Sequence, residues 1–272
     1  MSDCNHNCNE CGEEGCASRI EKLVPNSKTK IKHTIAILSG KGGVGKSFVT
    51  SLLGSKLNKL GYKVGILDGD ITGPSIPKSF NIHEAAYGDD DGLILPAETK
   101  SGIKIISSNM LLENEDDPIV WRGGLVTTLL GQFYKDVAWG ELEYLLIDMP
   151  PGTSDVTLTA FQSIPLDGII IVTSPQDLVS LIVTKAIKMA NMMNIPILGI
   201  VENMAYVECS HCKEKIYIYG KSKIKEFAKK NKLKYLASLP IKEGNSTFID
   251  KGEIEKIELD EINPIIDVIE KM

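Results

Sequence analysis

The feature of the sequence that most constrains its fold is an apolar stretch that runs directly into a glycine-rich loop. Residues 34–38 are typical of a buried strand, and residues 40–47 spell GKGGVGKS, which satisfies the pattern G-x-x-x-x-G-K-[ST]. A helix is predicted over residues 47–60 and is closed by Gly61. Glycines let successive backbone N–H groups surround phosphate oxygens, and the helix N-terminus adds positive potential. This order predicts a nucleoside triphosphate site rather than a glycine turn without a ligand.

The residues of this loop have different expected roles. The candidate nucleotide ligands are Gly40, Lys41, Gly42, Gly43, Val44, Gly45, Lys46 and Ser47. Lys46 is expected to reach the β- and γ-phosphates, and the Ser47 hydroxyl is expected to hold Mg²⁺. Lys41 directly follows the first glycine, where ordinary loop chemistry requires no lysine, so it needs an explanation of its own.

Apolar strands alternate with helical patterns from residue 31 onward. Strands are predicted at residues 34–38, 63–67, 144–147, 168–172, 197–201 and from 235, with short extended pieces at 103–107 and 119–120. Helices are predicted at residues 47–60, 124–138, 156–163, 178–193, 224–231 and 262–269. Because the strands are continuously apolar, they indicate an α/β fold with a mostly parallel sheet and helices on both faces. Ligands of such sheets bind at the carboxyl ends of the strands.

Two of the predicted strands end in acidic residues. Asp148 follows four apolar residues and is the candidate ligand of Mg²⁺, held directly or through water. Asp70 follows the strand at 63–67 and is the candidate that orients the attacking water, with Asp68 nearby. Aspartates that only form turns are the alternative. Together with Lys46 of the loop, Asp70 and Asp148 are therefore predicted to be catalytic.

Composition limits the possible partners and location. The 272 residues, 43% of them hydrophobic and 24% charged, are enough for one large α/β domain. The net charge is −6 and no basic stripe is evident, so generic nucleic-acid binding is not expected. No apolar run approaches the roughly 20 residues of a membrane helix, and the polar N-terminus is unlike a signal peptide. We therefore expect a cytoplasmic protein whose clustered cysteines bind metal or carry redox chemistry.

The N-terminal 30 residues are predicted to be separate from the domain that follows them. Residues 1–30 are predicted to form a cysteine-rich appendage and linker, and residues 31–272 an ATPase domain with an excursion near 206–219 that contains a short hairpin. The appendage carries Cys4, Cys8, Cys11 and Cys16. These four cysteines can hold a cluster or a zinc ion, or belong to a segment without metal, and the sequence leaves this open.

A second cysteine pattern, Cys209-x-x-Cys212, follows the strand at 197–201 by a few residues. Two thiolates supply half of a four-thiolate metal site, and one pair from each of two symmetric copies completes it. The pattern therefore predicts a metal site shared in a homodimer. A zinc site between subunits, a redox dithiol and a plain hairpin corner are the alternatives.

The loop GKGGVGKS, with a lysine after its first glycine, resembles the deviant Walker A loop of the MinD/ParA/nitrogenase-reductase class. The resemblance implies that ATP organises a homodimer in which Lys41 reaches the partner's nucleotide, which adds Lys41 to the predicted catalytic residues Lys46, Asp70 and Asp148. It also implies that Asn203, at the end of the strand at 197–201, contacts adenine. A turn-forming role at the strand end is the alternative for Asn203.

Further motifs make the resemblance more specific. The sequences DGDITGPS (68–75), WRGG (121–124), LIDMPPGTSD (146–155), TSPQ (173–176) and ENMAY (202–206) recur in the same order in the Mrp/ApbC iron–sulfur carrier ATPases. The match covers residues 31–240. It implies a P-loop fold of the MinD type, slow hydrolysis of ATP with Mg²⁺, and a [4Fe–4S] cluster held between two copies by Cys209 and Cys212.

The same resemblance bears on partners. It implies apo iron–sulfur proteins as recipients of the cluster. The acidic composition, and the acidic segment from residue 259 onward, predict neither nucleic acid nor a membrane as a partner. Some relatives carry an N-terminal four-cysteine cluster, with longer first and last gaps than those between Cys4 and Cys16 here. A positioning ATPase on DNA or membrane and an ATP-driven electron donor are the alternative functions.

Overall fold

The computed structural model describes residues 21–71, 73–112, 124–175 and 179–272. Cys4, Cys8, Cys11 and Cys16 and the extended piece at 119–120 lie outside these residues. The strands are β1 (Thr29–Ser39), β2 (Val64–Asp68), β3 (Tyr87–Gly88), β4 (Ile94–Leu95), β5 (Ala97–Glu98), β6 (Lys104–Ile106), β7 (Gly140–Asp148), β8 (Gly168–Thr173), β9 (Ile197–Glu202), β10 (Val207–Glu208), β11 (Lys215–Ile216) and β12 (Tyr235–Ser238). The helices are α1 (Lys46–Lys59), α2 (Ile76–Ser79), α3 (Gly124–Lys135), α4 (Asp155–Ser163), α5 (Val179–Met192), α6 (Ile224–Lys230), α7 (Asn245–Asp250) and α8 (Asn263–Ile269).

Eight of the described strands form one sheet in the order β12-β9-β8-β1-β7-β2-β6-β5. Every neighbouring pair is parallel except β5 and β6, which are antiparallel. β7 lies between β1 and β2, and its last residue, Asp148, is opposite Ile37 on one side and Asp68 on the other. This register brings the ends of three strands together at one edge of the sheet.

Both faces of the sheet are covered, as the continuously apolar strands predict. Residues 34–39 of β1 and all residues of β2 and β8 are buried. Successive side chains on a strand point to opposite faces, so a run of buried residues requires cover on both sides. α1 contributes to that cover by packing against β1, β2 and β7. The predicted fold class is confirmed.

The structure corrects the predicted elements in two ways. The helix predicted over residues 124–138 ends at Lys135, because residues 136–138 exchange backbone hydrogen bonds with Ile94 instead. The elements α2, α7, β3, β4 and β5 were not predicted. They are two to six residues long, which is too short for a periodic pattern.

The excursion at 206–219 contains the predicted hairpin. β10 and β11 pair antiparallel, with Val207 opposite Ile216. The turn between them is closed by the Cys209 N–H, which donates to the Glu214 carbonyl at 2.9 Å, and by the Lys213 N–H, which donates to the Cys209 carbonyl at 3.0 Å. Both cysteines of the C-x-x-C pair therefore lie at the tip of this hairpin.

The N-terminal part of the described chain is attached to the domain. The Leu23 N–H donates to the Ser163 carbonyl at the end of α4, and β1 begins at Thr29. The appendage over residues 1–30 stays a prediction. Among the described helices, none combines the length and the apolar character needed to cross a bilayer.

Candidate nucleotide site and cysteine hairpin

The glycine-rich loop connects β1 to α1 at the carboxyl edge of the sheet. Gly43 and Gly45 have φ angles of 79° and 78°, a left-handed conformation that glycine adopts without steric cost. A Cβ at Gly42 or Gly43 would meet no atom within 4 Å, so the space beside these two residues is open. Such a loop can surround a phosphate with backbone N–H groups, as its sequence predicts.

Asp148 is the centre of the polar side chains below this loop. It is fully buried, and its Oδ2 accepts hydrogen bonds from Lys46 Nζ at 2.7 Å and Ser47 Oγ at 2.6 Å. Its Oδ1 accepts from Thr50 Oγ1 at 2.7 Å. A carboxylate and a hydroxyl oxygen are ligands that Mg²⁺ prefers, so Asp148 and Ser47 fit the ion expected there. The structure thus brings Lys46, Ser47 and Asp148 together.

Thr50 was not predicted as a site residue. It lies four positions after Lys46 on α1, and residues at this spacing share a helix face. The Thr50 hydroxyl holds the second oxygen of Asp148, so it fixes the orientation of the carboxylate. The i,i+4 spacing from Lys46 was the available sequence signal.

Asp70 approaches the same site from β2. Its Oδ2 lies 3.9 Å from Lys46 Nζ, and burial raises the pKa of its carboxyl group. Lys41, in contrast, lies at the half-exposed edge of the loop, where its carbonyl accepts a hydrogen bond from Ser39 Oγ at 3.0 Å. The predicted catalytic residues therefore divide into a buried group around Asp148 and a lysine at the surface.

Asp68 holds the segment that carries Asp70. Its Oδ2 accepts from the backbone N–H groups of Ser75 and Ile76 at 3.0 and 3.2 Å and from Ser107 Oγ at 3.2 Å. Burial, with Asp148 close by, raises the pKa of Asp68 to about 7. Asp68 is therefore a positioning residue for the chain between Asp70 and α2.

The raised pKa of Asp68 predicts a specific pH dependence of stability. Between its unfolded value of 3.8 and about 7, the folded protein holds a proton on Asp68 that the unfolded chain has lost. The free energy of unfolding should therefore fall as the pH rises, by about 1.4 kcal/mol per unit, and this stabilising contribution is lost above about pH 7. Asp68→Asn should remove this component, as urea unfolding of the nucleotide-free chain from pH 5 to 8 would measure.

The control for this prediction is Asp250→Asn, which changes an exposed aspartate. Its pH profile should run parallel to that of the unmodified protein. A difference between the unmodified protein and Asp68→Asn that stays constant from pH 5 to 8 would contradict the prediction.

Asn203 follows β9 and lies directly against the phosphate loop. It is 3% exposed, and its Nδ2 donates to the Val44 carbonyl at 2.9 Å. Its backbone N–H donates to the Thr173 carbonyl at the end of β8. Asn203 therefore ties the loop to the neighbouring strands, which the sequence did not indicate. Contact with adenine stays a prediction.

This contact predicts different effects for two glycine substitutions in the same loop. A Cβ at position 45 would lie 2.2 Å from Asn203 Nδ2 and displace it, whereas one at position 43 would meet open space. Both positions have the same left-handed strain, about 1–2 kcal/mol for a residue other than glycine. Gly45→Ala should therefore lower the free energy of unfolding by about 3 kcal/mol, and Gly43→Ala by about 1.

Chemical denaturation of the nucleotide-free variants would test this difference. Adding Asn203→Ala to Gly45→Ala should recover part of the loss, because the clash is with that side chain. Equal destabilisation by the two glycine substitutions would contradict this role of Asn203.

The cysteine pair lies on the exposed hairpin and not among the buried side chains around Asp148. Cys209 is half-buried and Cys212 is exposed. The pKa of the Cys209 thiol is lowered by hydrogen bonds from the backbone N–H groups of Cys212 and His211, which favour the thiolate that binds metal. Within the described part of the chain, no three His, Cys, Asp or Glu side chains are placed to hold a metal ion. Cys209 and Cys212 therefore offer two thiolate ligands at the hairpin, and no third candidate ligand among the described residues joins them.

A strand, a glycine-rich loop and a helix follow one another along the chain at this site. Lys46 and Ser47 both donate hydrogen bonds to a buried acid, Asp148, at the end of a neighbouring strand. These features define a P-loop NTPase. A model of the ParA family, described as NUBPL iron-transfer P-loop NTPase, matches residues 30–272. The chain therefore belongs to this family of iron-transfer P-loop NTPases.

Individual relatives agree with this assignment. The iron-sulfur cluster carrier protein of Clostridium perfringens is 45% identical over 262 residues, which are 94% of this chain and 91% of the relative. A nucleotide-binding protein from Archaeoglobus fulgidus, solved in complex with ADP, has a TM-score of 0.75 at 43% identity and covers 84% of this chain and 89% of its own. MinD of Pyrococcus horikoshii with Mg-ADP (TM-score 0.59, 19% identity, covering 89% and 96%) shares the fold.

Proposed function

We propose that this protein carries an iron–sulfur cluster on Cys209 and Cys212 and delivers it to apo-proteins, and that ATP binding and hydrolysis at the phosphate loop control the delivery. The proposal rests on family membership and on one structural observation. Residues 203–212 connect the two sites directly: Asn203 holds the loop carbonyl of Val44, and Cys209 follows six positions later on the hairpin. A conformational change at the phosphate loop can therefore reach the cysteines through residues 203–212.

The nucleotide chemistry needs few groups. Loop N–H groups and Lys46 would bind the phosphates, and Asp70 would orient the attacking water. Ser47 and Asp148 would hold Mg²⁺, which neutralises charge on the phosphate oxygens when it is bound. Asp68 would keep Asp70 in place through the backbone of the following turn. Phosphoryl transfer requires mainly positioning and charge neutralisation, so these residues suffice for slow hydrolysis.

The cluster site needs two copies of the chain. A [4Fe–4S] cluster takes four thiolates, and each hairpin supplies two. Transfer is then ligand exchange without net oxidation. Four iron–thiolate bonds to the carrier break and four to the recipient form, and the protons released by the recipient's thiols pass to the cysteines that leave. An exposed hairpin suits this exchange, because an incoming thiolate can reach the iron.

Lys41 supplies a test of the homodimer. If it reaches the nucleotide of the partner copy, Lys41→Ala should lower the hydrolysis rate by about 10-fold or more while the ATP dissociation constant changes by less than about 3-fold. Steady-state hydrolysis and equilibrium nucleotide titration, each over a range of protein concentrations, would measure both quantities. Equal losses in binding and hydrolysis would contradict a role across the interface.

The direct test of the proposed function is delivery to an apo-protein. Carrier with a reconstituted, isotopically labelled cluster should transfer both iron and sulfide to an apo-ferredoxin, and the rate should change with ATP. Delivery of electrons alone, with iron and sulfide retained on the carrier, would favour an ATP-driven electron donor and overturn the proposal.

The alternative of a positioning ATPase on membranes predicts an amphipathic C-terminal helix. The C-terminal helix α8 instead buries Ile265, Ile266 and Ile269 in the core, so it does not offer an apolar face to a bilayer. A reducing cytoplasm, where thiolates stay available for exchange, is the compartment that suits the proposed activity.

A further inference from the structure

A strongly basic surface begins immediately after the cysteine pair. Nine lysines and two glutamates give residues 213–234 a charge of +7, so the rest of the chain carries −13 to reach the net charge of −6. All nine lysines are exposed: Lys213, Lys215, Lys221, Lys223, Lys225, Lys229, Lys230, Lys232 and Lys234. The expectation that the chain has no basic stripe is therefore wrong for this segment, because the acidic average conceals it.

Most of this charge is not neutralised by the described residues of the chain. Lys213 pairs with Glu208 at 3.2 Å, and Lys215 Nζ lies 4.1 Å from the ring centroid of Tyr206. The other seven lysines form no ion pair with any described residue. Exposed like charges repel one another, so a concentration of them on one surface destabilises the free protein and favours binding to an acidic partner.

The basic segment contains a run of exposed apolar residues. Ile216, Tyr217, Ile218 and Tyr219 are consecutive and between 43% and 58% exposed. They lie between the cysteine turn and α6, with lysines before and after them along the chain. An apolar, partly aromatic centre with a charged rim is the usual anatomy of a protein–protein interface.

We propose that residues 213–234 form the docking surface for the recipient of the cluster, and that this recipient is a protein with an acidic surface around its own cysteine ligands. The proposal rests on the proposed function, and it names the partner class of the same cysteine site. The two copies of the proposed homodimer meet at the cysteine turn itself; a second copy is disfavoured as the occupant of residues 213–234 beyond it, because symmetry would place lysines against lysines. Nucleic acid is disfavoured because the segment contains no arginine, the residue that forms bidentate phosphate contacts.

A charge reversal tests the proposal in the full-length, cluster-loaded protein. The variant carries Lys221→Glu, Lys223→Glu, Lys225→Glu and Lys229→Glu, and the matched control carries Lys32→Glu, Lys100→Glu, Lys251→Glu and Lys271→Glu, all at exposed positions. The recipient probes are an acidic apo-ferredoxin and the same protein with the acids around its cysteines changed to amides.

At low ionic strength, the docking variant should transfer the cluster to the acidic apo-ferredoxin at least about 10-fold more slowly than the unmodified protein, and the control within about 2-fold of it. Salt should slow the unmodified protein and leave the docking variant nearly unaffected. The neutralised ferredoxin should accept the cluster from both at similar rates. In a second variant, Ile218→Ser should weaken docking by a few-fold without changing the salt dependence.

Three results would overturn the proposal. The first is transfer by the docking variant at the unmodified rate. The second is transfer that salt does not affect. The third is binding of the unmodified protein to anionic vesicles or single-stranded DNA that is lost in the docking variant while transfer is unchanged, which would assign the surface to those partners. Failure of the unmodified protein to transfer to either recipient would instead overturn the proposed function itself, and this proposal with it.

Discussion

Replacing Lys46 with methionine is expected to lower the rate of ATP hydrolysis by at least about 100-fold, the usual effect of losing one charged donor to the reacting phosphates. The Lys46 side chain is 6% exposed, and its Nζ lies 2.7 Å from Asp148 Oδ2 and 3.9 Å from Asp70 Oδ2. In the proposed mechanism, the transferred phosphate lies beside this lysine, between the loop and the acids. Methionine preserves most of the volume and removes the charge.

The same change should also destabilise the nucleotide-free protein. Without Lys46, the carboxylates of Asp148, Asp70 and Asp68 lose the cation beside them, and breaking a buried ion pair costs about 3–5 kcal/mol. Lys46→Arg separates the two effects, because it keeps the charge and changes the geometry. It should fold and still hydrolyse ATP slowly.

Steady-state hydrolysis and urea unfolding would measure these two effects. Lys59→Met is the matched control, since Lys59 is on the same helix and pairs only with Glu258 at the surface among the described residues. Its hydrolysis rate should be unchanged. A Lys46→Met protein that hydrolyses ATP within about 3-fold of the unmodified rate would show that this lysine is not at the reacting phosphates.

Replacing either cysteine of the hairpin with serine is expected to abolish binding of the shared cluster and to leave the nucleotide affinity of the cluster-free protein unchanged. In the proposed site, which two symmetric copies share, each substitution removes two of four thiolates, and the remaining two cannot hold the cluster. The hairpin is exposed and makes none of the hydrogen bonds that hold Asp148, so the nucleotide site should not respond.

This experiment is best performed in a chain in which Cys4, Cys8, Cys11 and Cys16 are changed to serine, so that any cluster must be at the hairpin. Anaerobic reconstitution followed by absorbance spectroscopy and iron analysis would measure the cluster. Ser210→Ala, in the same turn, is the control and should keep it. A Cys209→Ser protein that still takes up a cluster at the hairpin would refute the assignment.

Much of the nucleotide site could be predicted because it depends on local order. The loop and Ser47 come directly after β1, and Asp148 is the last residue of β7, so each can be recognised from one strand and its end. The parallel register of β2 and β7 then brings Asp68 and Asp148 opposite each other. The contact of Asn203 with Val44 could not be predicted in this way, because it joins residues 159 positions apart through side-chain packing. Ser107, which supports Asp68, was missed for the same reason.

The basic surface shows a different limit. Its lysines are visible in the sequence, but the net charge of −6 averages them with an acidic remainder. The exposure of all nine side chains, and of the apolar residues between them along the chain, makes the segment a candidate docking surface. Charge is therefore better counted by segment than by chain when partners are inferred.

The most direct test of the central claim is the number of chains per cluster at the hairpin. Native mass spectrometry of the reconstituted protein, again with the four N-terminal cysteines changed to serine, should show one [4Fe–4S] cluster per two chains. The same sample carrying Cys212→Ser should show no cluster. A cluster on a single chain, or a cluster that survives loss of Cys212, would contradict the account of a carrier whose cluster is shared between two copies.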